Sequence, residues 1–342
     1  MAAPPPRDSL AEVAPSGAFA RTPSTFLDAP ALPLEPGRYA LYISLACPWA
    51  CRVLAVLALR GLRDRVAVVA CAPTWEATAP AEDAHRGWVF RARARAGGVD
   101  AGLADVPLVD PFFGQETVRG VYALLCSEAG VPPPAKFTVP LLVDLRARRI
   151  VCNESSVLVR ALGSGAAAGA PAGAPDLCPP ELLAQVEAHN EAMYSAFNNG
   201  VYRCGFSTTQ AAYDAAAADV AAYLDATAAL LADGRAFLCG PALTESDVRL
   251  YVTLVRFDPV YVRHCWALPL FFPCRAGAAP GRPARALTRP PRFDFSPPAL
   301  AGHTLQVRLS HSARQPAAAA LPQEGARCAA LRRAARGAPP RH

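Results

Sequence analysis

The side chain best placed to do chemistry is Cys47, in the stretch Leu41-Tyr-Ile-Ser-Leu-Ala-Cys47-Pro48-Trp49-Ala-Cys51-Arg52. Sulfur exchange needs a thiolate, which forms most readily where positive potential meets the sulfur. The flanking residues predict such a place. The run from Leu41 reads as a short apolar strand. Pro48 suits the first position of a helix, where its missing N–H is not needed, and Val53, Leu54, Val56, Leu57 and Leu59 follow at helical spacing. Cys47 then sits at a strand-to-helix turn, beside the free N–H groups and the positive dipole end. The competing reading is a small buried hydrophobe, the commoner state of a cysteine. Cys51, one turn on, reads as structural, because a bridge across one helical turn strains disulfide geometry.

Two further stretches carry polar or aromatic groups of interest. Gly87-Trp88-Val89-Phe90 is the most apolar part of a long connection, residues 72 to 115, and Trp88 is either a plug for that loop or a wall of a site. Asn153-Glu154-Ser155-Ser156 opens a helix, Val157 to Leu162, with cap-type side chains and free N–H groups. It serves either simple capping or the binding of a charged group.

Composition narrows the function classes. The net charge is +6, but Arg275 to the end carries twelve arginines against Asp294 and Glu324, or +10, which leaves −4 for Met1 to Cys274. The body of the chain makes no case for binding nucleic acid. No apolar run reaches the roughly 18 residues of a spanning helix, and the N-terminus lacks the apolar core of a secretory signal. Eleven scattered cysteines form no Cys-x-x-Cys pair and no cluster at zinc spacing, which predicts reduced thiols in a cytosol-like compartment and no metal.

The elements that must position these residues follow in order. Residues 1–37 form an irregular, Pro- and Ala-rich arm, of which Phe19 to Phe26 can pack extended. The strand and helix around Cys47 and a second strand, Val66 to Cys71, make a parallel pair with a right-handed crossover. Glu116 to Cys126 reads as a helix with Val118, Val121, Tyr122 and Leu125 on one face. Pro140 opens a strand running to Asp144, and Ile150 to Cys152 returns as its hairpin partner. The first domain spans 38–163, and a low-complexity linker covers 164–176. An all-α domain then spans 177–265. Its first helix starts at Pro179-Pro180 and stops at Asn198-Asn199-Gly200. Its second opens on a capping box at Ser207 to Gln210, and its third opens at Thr244-Glu-Ser-Asp247. Residues 266–342 form a Pro/Ala/Arg-rich tail whose composition predicts disorder.

This order resembles a thioredoxin-type glutathione-binding domain joined to a helical bundle, the arrangement of glutathione transferases. The motifs narrow it further. Gly37-Arg38-Tyr39-x-Leu41-Tyr42 leads into Ala46-Cys47-Pro48-Trp49-Ala50-x-Arg52. Gly87-Trp88-x-Phe90, Thr138-Val139-Pro140 and Asn153-Glu154-Ser155-Ser156 follow. Asn198-Asn199-Gly200-Val201-Tyr202, Gly205-Phe206, Thr208-Thr209-Gln210 and Arg256-Phe257-Asp258-Pro259-Val260-Tyr261 complete the set. Together they resemble the glutathionyl-hydroquinone reductases, the xi class of glutathione transferases, over about residues 19 to 264. After Tyr261 no tyrosine occurs, and the family's late tyrosine-containing segment has no counterpart in the tail.

The resemblance implies an α/β thioredoxin-like domain with a cis Val139–Pro140 bond, an all-α domain, and a homodimer. Cys47 would be the catalytic nucleophile and glutathione the co-substrate, with glutathionyl-hydroquinones as substrates. Glutathione would pair with the backbone of Val139, pack on Trp88 and place its γ-glutamyl end on Glu154 and Ser155, with Arg119 as a carboxylate contact. Tyr194 would face the aromatic ring. A broader thioltransferase or dehydroascorbate reductase would use the same Cys47, and a glutathione-binding scaffold without turnover is the non-enzymatic alternative.

Overall fold

The computed structural model of the protein describes residues 5–7, 11–30, 34–90, 109–165 and 169–262. The predicted tail from residue 266 lies outside these residues, as do residues 263–265 of the predicted helical domain and the start of the arm.

The apolar run before Cys47 becomes β1 (Tyr39–Ile43), all five of whose residues are buried. They are buried because β1 has neighbours on both sides. It pairs in parallel with β2 (Val66–Ala70), Tyr39 opposite Val66, and antiparallel with β5 (Leu141–Asp144), Tyr42 opposite Leu141. β6 (Arg149–Cys152) adds to β5, giving the order β2-β1-β5-β6. The β5–β6 turn is held by Asp144. Its carboxylate accepts the Arg146 and Ala147 N–H groups at 3.0 and 2.9 Å and the Arg38 guanidinium at 2.8 Å.

α1 (Pro48–Leu59) starts at Pro48 as its sequence demands, and α3 (Ser155–Gly163) packs beside it. α2 (Val118–Glu128) lies on β6 and buries Val118, Val121, Tyr122 and Leu125, the face its periodicity predicts. The long connection after β2 is not all loop. It contains a small hairpin, β3 (Trp75–Ala77) and β4 (Arg86–Trp88); residues 91–108 of it lie outside the described residues. Strands of three residues carry too little alternation to be seen in a sequence.

The arm continues the sheet. Leu27 bridges Cys152 antiparallel, and the Asn153 N–H donates to the Phe26 carbonyl at 2.9 Å. It covers an edge that would otherwise expose unpaired main-chain groups. Its earlier part reaches the helical half, where the Thr208 N–H donates to the Gly17 carbonyl at 2.9 Å.

That half comprises α4 (Leu183–Met193), a π-helical turn (Tyr194–Asn198), α5 (Gly200–Phe206), α6 (Gln210–Leu231), α7 (Glu245–Leu254) and a second π-helical turn (Phe257–Val262). Asn198-Asn199-Gly200 is therefore a junction rather than a stop. The Asn198 amide donates to the Arg249 carbonyl and the Thr253 hydroxyl of α7, at 3.0 and 2.8 Å. Gly200 lets α5 meet α6, since a Cβ there would stand 2.9 Å from Val220. The cap of α6 is Thr209, not Ser207, because the arm takes up the preceding residues: Thr209 donates to the Ser16 carbonyl at 3.0 Å while accepting from the Ala212 N–H. α7 opens where Thr244-Glu-Ser-Asp247 predicts a helix start, Thr244 and Asp247 forming a capping box, and it packs against α1.

Glu245, fully buried on α7, joins the two halves. It accepts two hydrogen bonds from Arg160 of α3, at 3.0 and 2.8 Å, one from Arg249 at 2.9 Å and one from Asn190 at 2.7 Å. A buried carboxylate needs such a full set of partners.

Candidate active site

Cys47 is the residue before α1, in extended conformation, with Pro48 at the first helical position. Its thiol donates to the Val139 carbonyl at 3.4 Å. The Val139–Pro140 bond is cis, as the resemblance implies. Tyr122 fixes the approach to that bond, its hydroxyl donating to the Thr138 carbonyl at 3.0 Å. Asn153 ties the assembly together, donating to Tyr122 and accepting the Phe26 N–H, each at 3.0 Å.

The ionisation of Cys47 differs from the sequence expectation. Burial pushes its pKa up to about 11, against the pull of the Ala50 and Trp49 N–H groups and the Arg21 charge. The helix start acts in the expected direction, but desolvation outweighs it. The resting group is a thiol.

Glu154 caps α3. Its carboxylate accepts the Ser156 N–H and hydroxyl, both at 2.9 Å, and the Ser24 hydroxyl at 2.8 Å. Burial pushes its pKa up, but the Ser156 N–H, the Arg52 charge and the hydroxyls outweigh it and hold it below the ordinary carboxylate value. Ser155 is buried, and its hydroxyl accepts from Arg52 at 2.7 Å. Arg52 lies beneath the site against Trp49, 2% exposed. Burial, then the charge of Arg249, lowers its pKa to about 9.

Cys47, Val139, Asn153, Glu154 and Ser155 line a cavity of about 210 Å3. Trp88 lines it too, edge-on to Trp75 at 5.6 Å, so it packs its hairpin and walls the cavity at once. Tyr194 closes the helical side, 45% exposed, with its ring 6.0 Å from Trp49. Cys47, Trp88, Val139, Glu154, Ser155 and Tyr194 are thus brought together.

Arg119 is not among them. Its guanidinium pairs with Asp83 at 2.8 Å and Glu82 at 3.2 Å, and it lines a separate depression beside Pro5 and Pro133. These two carboxylates, in the loop between β3 and β4, satisfy it there. Cys51 holds a structural contact: its sulfur lies 3.1 Å from an Arg256 nitrogen.

Sequence reasoning missed several lining residues: Arg21, Ser24, Trp75, Lys136 and Tyr202. Lys136 donates to the buried Glu12 at 2.7 Å. Of these, Arg21 and Ser24 had a signal as members of the arm that the sequence reads as packed, and Tyr202 as the end of the Asn198-Asn199-Gly200-Val201-Tyr202 motif. Among the described residues no group of three or more His, Cys, Asp or Glu side chains could hold a metal ion, and no helix is long and apolar enough to cross a membrane.

Comparison with known proteins agrees with this geometry. The family model described as glutathione S-transferase, N-terminal domain, matches residues 46–164, and that of the C-terminal domain matches residues 210–294. The chain is 32% identical over 308 residues to glutathione S-transferase omega-like 2 of Saccharomyces cerevisiae, covering 73% of this chain and 80% of that protein. It is 36% identical over 230 residues to the glutathionyl-hydroquinone reductase PcpF of Sphingobium chlorophenolicum, covering 67% of this chain and 66% of that protein. Among solved structures, the glutathione S-transferase Xi of Phanerochaete chrysosporium superposes with a TM-score of 0.63 at 34% identity, over 75% of this chain and 78% of that one. The Xi glutathione transferase ECM4 of Saccharomyces cerevisiae, solved in complex with glutathione, gives 0.61 at 30% identity, over 71% and 81%. With both halves matched and the cavity lined as described, the chain belongs to the glutathione S-transferase family, in its xi class.

Proposed function

We propose that the protein reduces glutathionyl-hydroquinones to hydroquinones, with Cys47 as nucleophile and glutathione as co-substrate. The observation that carries this reading is the cavity itself. It joins a cysteine at a helix start, the Val139 carbonyl 3.4 Å from its sulfur, the Glu154 and Ser155 pair, and an exposed tyrosine. The likeness to a protein named as a glutathionyl-hydroquinone reductase supports the choice of substrate. Glutathione would lie along Val139 like an added strand. Its ammonium would meet Glu154, and its γ-glutamyl carboxylate the start of α3 and Ser155. Tyr194 would donate to a ring oxygen.

The Cys47 thiolate attacks the glutathione sulfur. A sulfur–sulfur bond forms as the carbon–sulfur bond to the ring breaks, and its electron pair stays on the ring carbon, which takes a proton. The ring leaves reduced, as the hydroquinone, and the two sulfurs are left oxidised as a mixed disulfide. A second glutathione thiolate attacks that disulfide, releasing oxidised glutathione and restoring Cys47. In the same proposal the protein is a homodimer working in a reducing, cytosol-like compartment.

Intact-mass spectrometry after brief exposure to a glutathionyl-hydroquinone, without free glutathione, tests this. One glutathione adduct is expected, absent in Cys47→Ser. No adduct from that substrate, with labelling of Cys47 by glutathione disulfide, would favour a thioltransferase or dehydroascorbate reductase. No labelling by either reagent would favour a binding scaffold.

A further inference from the structure

Cys47 rests as a buried thiol, and the N–H groups at the start of α1 do not offset its desolvation. A thiolate in so apolar a place calls for a nearby cation.

Arg21 of the arm lines the same cavity. Its guanidinium lies on three aromatic rings, 4.5 Å from the Tyr202 centroid, 5.0 Å from Trp49 and 5.2 Å from Phe19. Its Nε donates to the Asn199 side chain at 2.8 Å. These contacts hold the group in place and leave Nη2 buried, with no hydrogen-bond partner among the described residues. A buried donor left without an acceptor is uncommon and marks a place where one is to be received. The arm carrying it is pinned to α6 by Gly17 and to β6 by Phe26, so the charge is fixed relative to both halves.

The other ionisable groups around Cys47 do not fill this role. Cys51 and Arg52 share its helix, Cys71 follows β2, Tyr202 lies on α5 and Tyr261 in the final turn. The cysteines and tyrosines are neutral acids, and ionising any of them would only oppose a thiolate. Arg52 has its Nη2 on Ser155 at 2.7 Å and the Glu154 carboxylate at 3.7 Å, and Lys136, the other cation lining the cavity, is paired with the Glu12 carboxylate at 2.7 Å, so both charges are matched. No described carboxylate forms an ion pair with Arg21.

We propose that Arg21 is the counter-charge of Cys47, a positioning residue that stabilises the thiolate when it forms in the proposed reaction. This rests on Cys47 being the nucleophile of that reaction. The step is an ionisation: the S–H bond breaks, the proton passes to solvent and no electron is transferred.

The test is the rate at which iodoacetamide alkylates Cys47 between pH 6 and 10, read by mass spectrometry of the Cys47 peptide, with no glutathione or hydroquinone present. Wild type, Arg21→Gln and Arg21→Lys are compared. Arg21→Gln should slow alkylation about tenfold at pH 8 and move the profile up by about one pH unit, the size of effect one nearby charge has. Arg21→Lys, which keeps the charge, should stay within about threefold of wild type. A profile for Arg21→Gln that superimposes on wild type overturns the proposal. So does an equal loss in Arg21→Lys, which would mean that only the packing of the arm matters. A shifted profile in a protein that fails to turn over glutathionyl-hydroquinones would leave Arg21 standing and remove the substrate reading alone.

Discussion

The two walls of the Cys47 cavity are built in opposite ways. The wall from the sheet half consists of element ends: Cys47 before α1, Val139 before β5, Glu154 and Ser155 at the start of α3. Each is set by its immediate neighbours in the chain, through a proline, a cap or a turn. The opposite wall consists of Arg21 from the arm, Tyr194 from a π-helical turn and Tyr202 from α5. Nothing local places them. They are held by packing among segments far apart in the chain, with Trp49 touching all three. In the proposed reaction the first wall would supply polar recognition and the nucleophile; the second supplies aromatic surface and a positive charge. A site of this kind can lose its second wall while keeping its first.

Cys47→Ser removes the nucleophile and should lower turnover of a glutathionyl-hydroquinone at least about a thousandfold, with the thermal transition unchanged; steady-state kinetics and calorimetry read both. Glu245→Gln strikes the join between the two halves. It leaves Arg160 and Arg249 without their buried carboxylate, so the expected loss is about 3–5 kcal/mol in urea unfolding. A loss below about 1 kcal/mol would mean that the halves are joined by apolar packing alone.

Ser155→Ala should raise the KM for glutathione about tenfold with little change in kcat, as one charge-assisted hydrogen bond is lost. An effect on kcat alone would move Ser155 from binding to chemistry. Arg119→Gln should leave the KM for glutathione within about twofold of wild type, because its side chain is committed to Asp83 and Glu82 away from the cavity. It should cost under about 1 kcal/mol of stability, as an ion pair whose carboxylates lie near the surface. A large rise in KM would restore Arg119 to the site.

The unequal legibility of the two walls follows from how they are made. Pro48 after Cys47 and the cap residues at Asn153 to Ser156 announce helix starts directly, and the face of α2 shows in its periodicity. The β5–β6 hairpin reads from two apolar runs separated by Arg146 to Arg149. By contrast, Asn198-Asn199-Gly200 has the local chemistry of a helix end. It continues into α5 because α7 takes the Asn198 amide and Val220 needs the space at Gly200. The β3–β4 hairpin is too short to show a period. Arg21 had only its membership of the arm to mark it, since three aromatic rings from three parts of the chain define its place.

Near-neighbour chemistry sets the thioredoxin-like order of elements, the position of Cys47 at the start of a helix, and the short motifs that face it. These depend on dihedral preference, capping and periodicity, which act between near neighbours. Folding in three dimensions set the rest: Cys47 rests as a thiol, Arg119 belongs to Asp83 and Glu82, and a cation from the arm lines the same cavity as Cys47. Desolvation and charge pairing depend on what surrounds a group in space, and no local pattern encodes that.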